Sequence, residues 1–167
     1  MFNTKVKYIC SLAAVTILAA CGEDNERFEA TFPVFKGFEA KSLVNNTNDN
    51  RLKVGVPFVI SAVENQQGRH LYQANYHWTV SPADEVVQSY KSTVVYDDKA
   101  RNATDTITVK SAGSYKVTLV ATYDVAGIGK ASVPQGGRLP NNGGDISYKS
   151  SALKYVVTLT KVFSVVD

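Results

Sequence analysis

The chain has 167 residues, 44% of them hydrophobic and 20% charged, with a formal net charge of +3. That length fits one domain, the apolar content excludes a disordered chain, and the charge is too small for a nucleic-acid binder. Two cysteines cannot build a disulfide scaffold.

Met1–Lys7 holds two lysines and no acid, and Tyr8–Ala20 is an apolar run of 13 residues. A bilayer span needs about 20 apolar residues, so this run has the length of a secretory signal core. Leu18-Ala19-Ala20 leads directly into Cys21, an order that resembles the lipobox of bacterial lipoproteins. The resemblance implies cleavage between Ala20 and Cys21, loss of residues 1–20 as a lipoprotein signal peptide, and lipid attachment at Cys21. The residues alone leave open an ordinary secretory signal with Cys21 as an unmodified thiol. Cleavage leaves 147 residues with 16 basic and 15 acidic side chains, so the charge falls to +1. Cys10 departs with the signal, and an acylated Cys21 leaves no free thiol. Several acyl chains make a stable anchor where a single one does not.

Behind the cysteine, Glu23, Asp24 and Glu26 form an acidic run that reads as a solvated tether. The run also resembles the acidic export signal of surface lipoproteins from Bacteroidota-type bacteria. That resemblance implies lipid-anchored residence in the outer membrane with display on the cell surface. Residues 21–37 are assigned to the lipidated cysteine and tether, and residues 38–167 to a single folded domain.

Within that domain, alternation at period two dominates and no sustained helical pattern occurs. Val56, Phe58, Ile60 and Ala62 share one face of the first strong strand. Tyr72, Ala74, Tyr76, Trp78 and Val80 share a face of the second, opposite Gln73, Asn75, His77 and Thr79. Ser81-Pro82-Ala83-Asp84 carries a helix-start signal, limited to one turn by the β-branched run Ser92–Tyr96. Asp105–Lys110 fits a further strand. Tyr115, Val117, Leu119, Ala121 and Tyr123 then mark the clearest half-buried strand in the chain. A long Gly-rich loop is expected near 127–147, flexible in preference to ligand-binding, before a last strand over Leu153–Val166.

Trp78 on its strand and the later Gly113-Ser114-Tyr115-Lys116-Val117-Thr118-Leu119 resemble PKD and related immunoglobulin-like domains. The likeness covers residues 40–125 and implies an all-β, immunoglobulin-like (PKD-like) β-sandwich. Trp78 would then fill the space between the sheets, and Tyr115 would bond a corner through its hydroxyl. The family's acidic turn after the tryptophan is replaced here by Thr79-Val80-Ser81-Pro82, so the likeness concerns fold alone.

Catalytic and metal-binding arrangements are scarce. His70 and His77 lack further ligands at short spacing, so no metal or cofactor is expected. Asp84-Glu85 and Asp97-Asp98 are adjacent pairs, which read as solvated turns because neighbouring strand residues face opposite ways. Asn46–Asn50 has alternating oxygen side chains but lacks the glycine and glutamate of a calcium loop. Asp105-Thr106-Ile107 resembles the O-glycosylation acceptor of Bacteroidota-type secreted proteins, which would make Thr106 a modification site. Tyr90, Tyr96 and Tyr148 are the tyrosines to examine for exposed stacking.

The sequence therefore points to a non-enzymatic, membrane-anchored accessory protein that binds a glycan or a surface protein complex, and not nucleic acid. Its alternative is a structural subunit of a surface assembly or fimbria. That reading rests on the C-terminal strand, where Leu153, Tyr155, Val157, Leu159 and Phe163 face Val156 and Val162 across the backbone.

Overall fold

The computed structural model describes residues 29–44, 51–88, 92–96, 103–126, 132–151 and 153–167, with Gln88 and 92–96 defined by backbone alone. Among them lie β1 (Val34–Ser42), β2 (Leu52–Lys53), β3 (Phe58–Gln66), β4 (Leu71–Ser81), β5 (Val86–Gln88) and β6 (Ser92–Tyr96). There follow β7 (Ala103–Val109), β8 (Gly113–Val125), β9 (Gly137–Arg138), β10 (Asp145–Ser150) and β11 (Lys154–Val166). The described chain is all-β, in two sheets. The smaller has the order β1-β3-β7-β5 and the larger β6-β4-β8-β11-β10-β9, with β2 added in parallel to β11. Every other pairing is antiparallel.

Period-two alternation makes each long strand amphipathic, and the two apolar faces meet. Phe58, Ile60, Ala62, Ile107 and Val109 of the smaller sheet share one core with Tyr76, Trp78, Val117, Leu119, Val157 and Leu159 of the larger. Phe38 on β1 reaches across to Trp78 on β4, with ring centroids 5.5 Å apart. The arrangement is that of a β-sandwich. β11 is a central strand: it pairs with β8 from Lys154 to Val165, and its other side carries β10 and then β2. Its inward residues Tyr155, Val157, Leu159 and Phe163 are buried, while Leu153 and Val162 are exposed.

Four expectations need correction. The tether does not reach residue 37, because Ala30, Phe32 and Phe35 are buried and β1 begins at Val34. Phe35 and Phe38 are three apart, yet both face inward. Register shifts on either side of Phe35 and a positive φ of 127° at Gly37 absorb the odd residue. Alternation by itself cannot reveal a bulged strand.

The Gly-rich stretch is irregular over 132–136 and then forms a short hairpin over 137–147, where an unbroken loop is expected. β9 pairs with β10 through a turn in which Leu139 N–H donates to Gly144 O at 2.8 Å. Asn141 and Asn142 take the left-handed conformation that this turn requires.

No helical turn follows Ser81; β4 runs through that residue, and Val86 N–H donates to Ala83 O across a turn into β5. A register shift between Leu71 and Gln73 turns Tyr72 outward and puts Leu71 in the core in its stead.

Candidate functional site

Strand direction assigns the connections to two ends of the sandwich. The entry end collects 29–33, 67–70, 126 and 151–153. There Thr31 N–H donates to Arg69 O, Arg69 N–H to Thr31 Oγ1, Ala126 N–H to His70 O and Val125 N–H to Leu153 O. Phe32 stacks on Tyr155 at 3.9 Å, and the Tyr155 hydroxyl donates to Ala30 O at 2.9 Å. The far end collects 43–44, 54–57, 82–85 and 110–112. Gly55 N–H donates to Val109 O, and Lys110 Nζ to Asp84 O at 2.7 Å.

Between the ends, the outer face of the larger sheet carries a regular neutral patch. The register sets Asn75 beside Thr122 and Val156, His77 beside Val120 and Thr158, and Thr79 beside Thr118 and Thr160. The hydroxyls of Thr118 and Thr160 lie 3.4 Å apart. Charged side chains bound the patch. Lys116 lies at one end, Lys154 pairs with Asp124 at 3.5 Å at the other, and Asp145 and Lys149 of β10 stand beside Thr160 and Val156. Hydroxyl, amide and imidazole groups beside Val120 and Val156 make a surface that can hydrogen-bond an uncharged partner.

A polar cluster lies inside the sandwich. The Tyr123 hydroxyl donates to Glu64 Oε1 at 2.9 Å, bridging β8 to β3. Tyr76 meets Tyr123 edge-on at 6.2 Å. Burial above all, then the Tyr76 hydroxyl and the Glu64 carboxylate, hold the Tyr123 phenol well above its ordinary value of 10.0. Asp105, on the inward face of β7 between Ala103 and Ile107, is only 2% exposed. Its place in the apolar parity of Ala103, Ile107 and Val109 is the sequence signal that identifies it as buried.

Trp78 is buried in the core, and Tyr115, also buried, donates its hydroxyl to Ser111 O at 2.7 Å across the β7–β8 turn. Thr106 is half-buried on the outer side of β7, paired with Val59. His77 is exposed on the neutral patch, while His70 occupies the β3–β4 turn with φ 53°. The structure does not bring these histidines into a metal-ligating group. Among the described residues, no three His, Cys, Asp or Glu side chains gather to hold a metal. Asp84 and Glu85 serve a turn: Asp84 O accepts from Lys110, and Glu85 Oε2 accepts from Ser111 Oγ at 3.0 Å. Tyr148 is no open stacking platform, because its ring packs edge-on against Phe32 at 5.6 Å and burial raises its phenol. Ala20, Cys21, the acidic run, Asn46–Asn50, Tyr90 and Asp97-Asp98 lie outside the described residues, as does the side chain of Tyr96.

No protein family, curated protein or solved structure matches this chain.

Proposed function

We propose that the protein is a lipid-anchored, non-catalytic module of the bacterial cell surface. In this reading its immunoglobulin-like sandwich binds a neutral glycan or a protein partner beside a larger surface complex. The observation that carries the reading is the docking of residues 30–32 at one end, through the Phe32–Tyr155 stack and the Ala30 and Thr31 hydrogen bonds. The chain towards Cys21 therefore leaves from the entry end. The neutral patch lies along the flank, and the far end points away from the attachment point. Seven residues, 22–28, would separate the acylated cysteine from the described chain, a reach of at most about 28 Å. The strand order β1-β3-β7-β5 against β4-β8-β11 supports an immunoglobulin-like assignment, with Trp78 and the Tyr115 corner in the roles that such domains give them.

The patch of Asn75, His77, Thr79, Thr118, Val120, Thr122, Val156, Thr158 and Thr160 is the surface assigned to the partner. Its lack of carboxylates and lysines favours an uncharged ligand, because no charge has to be desolvated on contact. The alternative role as a structural subunit depends on β11 joining another chain, and its pairing with β8, β10 and β2 argues for the binding reading.

Two measurements test the proposal. Cys21→Ala should move the protein from the membrane to the soluble fraction; continued membrane association would refute the anchor. Val120→Arg, a change on the outer face, should abolish co-purification of the partner from solubilised membranes while leaving the fold intact. Unchanged co-purification would remove the patch from the binding surface.

A further inference from the structure

We infer that the entry end of the sandwich is itself a lipid-contacting surface, resting on phospholipid headgroups beside the anchor. The inference builds on the lipid-anchor reading above. Two large apolar side chains project at this rim, one from β4 and one from the turn before β11, on either side of β8. Leu153 is 69% exposed just before β11, and Tyr72 is 49% exposed at the start of β4. Both flank Val125: Leu71, next to Tyr72, pairs with Val125, and Val125 N–H donates to Leu153 O at 2.8 Å. The two side chains therefore share one rim, spaced by the single strand β8 between them.

Each has a reason to be elsewhere in an ordinary soluble domain. The Leu71/Gln73 irregularity turns Tyr72 out of the apolar face its parity would give it. Leu153 caps the turn before β11 although Tyr155, two residues on, is buried. A tyrosine and a leucine at one rim, with basic side chains beside them, suit the boundary between headgroups and acyl chains, where amphipathic rings and cations concentrate. Arg69 and Lys149 are exposed around that end, and Lys154 is exposed while paired to Asp124. Among the described carboxylates there, Asp124 pairs with Lys154, Glu64 accepts from the Tyr123 hydroxyl, and Glu29 lies near the point of entry.

Where the chain leads decides the occupant. The entry end is the part of the fold from which residues 21–28 run to the acylated cysteine. A tether this short gives a local concentration in the millimolar range, so a contact too weak to hold a free domain would still be populated. Two points of contact fix orientation where one tether does not. The neutral patch would then stand upright along the flank, and the far end would face outward.

The test uses the mature acylated chain in vesicles of phosphatidylethanolamine and phosphatidylglycerol. Acylation occupies Cys21, so Leu153→Cys and Leu43→Cys each introduce a unique thiol for a nitroxide label, one at each end of the sandwich. The label at 153 should be severalfold less accessible to a water-soluble relaxing agent, and more accessible to oxygen, than the label at 43. Introducing Tyr72→Glu should return position 153 to the accessibility of position 43. Equal accessibility at both ends in vesicle-bound protein would overturn the lipid contact while leaving the anchor standing. Protein that fails to float with the vesicles would overturn both.

Discussion

Phe32 lies flat on Tyr155, with ring centroids 3.9 Å apart and planes within 10°. The same tyrosine donates its hydroxyl to Ala30 O, so one side chain of β11 holds the entering chain by its ring and by its oxygen. This stack, and not the acidic run, decides where the folded domain begins.

Phe32→Ala should therefore destabilise the domain by about 3 to 5 kcal/mol, the range for emptying a buried aromatic site. The entry segment should lose its protection as well. Hydrogen exchange at Thr31, whose N–H donates to Arg69 O, checks the local effect, and urea unfolding checks the global one. A domain of unchanged stability would mean that the segment is decoration on an independent core.

Gly37 and Gly143 bring β1 and the β9–β10 hairpin into backbone contact. Phe38 N–H donates to Gly143 O at 3.1 Å, and a Cβ on Gly143 would collide with Lys36 O. Gly143→Ala should cost about 1 to 3 kcal/mol, as overpacking does. Gly37→Ala should cost more, because a Cβ there meets the Gly143 backbone and the residue also holds φ 127°. Thermal unfolding of both variants checks the order. Near-wild-type stability of either would show that the hairpin can slide away without loss.

Alkaline pH should unfold the protein in a way that depends on Tyr123. Below its ordinary value of 10.0 the phenol is protonated in both folded and unfolded chains and adds no pH dependence. As pH rises past 10.0 the unfolded chain gives up its proton first, so stability falls until the raised folded value is reached. Tyr123→Phe should lose about 1.5 to 3 kcal/mol at neutral pH with the hydrogen bond to the Glu64 carboxylate. The variant's stability should then decline less steeply above pH 10.0. Urea midpoints across the alkaline range are the measurement, and an unaltered slope would assign the decline to other groups.

Deleting Leu153–Asp167 should leave an unfolded chain, since β8 loses one of its two partners along almost its whole length and β10 loses its link to the sheet. Circular dichroism would report lost strand signal. A folded monomer that failed to assemble would instead favour the structural-subunit role for this strand.

Much of the fold was readable because burial on one face imposes period two. β4 and β8 carry that period, and their inward residues Tyr76, Trp78, Val117 and Leu119 are the buried ones. β1 escapes a period-two pattern because its bulge breaks the period. β10 gives no clear period because Ile146 is its one buried side chain and its neighbours are glycines and polar residues. Of the neutral patch, the outward parity of Asn75, His77 and Thr79 could be read along the strand. Their alignment with Thr122, Val120 and Thr118 could not, because register between strands depends on turns and bulges far from the residues that it brings together.

The sequence by itself determined an all-β domain behind an apolar run of 13 residues that ends next to Cys21. These properties belong to local order and composition, which the chain carries before it folds. The unremarkable composition did not disclose which end the tether leaves, which rim exposes Tyr72 and Leu153, or that a Gly-rich stretch packs on β1. Those depend on contacts such as Tyr155 with Ala30 and Gly37 with Gly143, between residues more than one hundred positions apart. Only the closing of two sheets over one core brings such positions together.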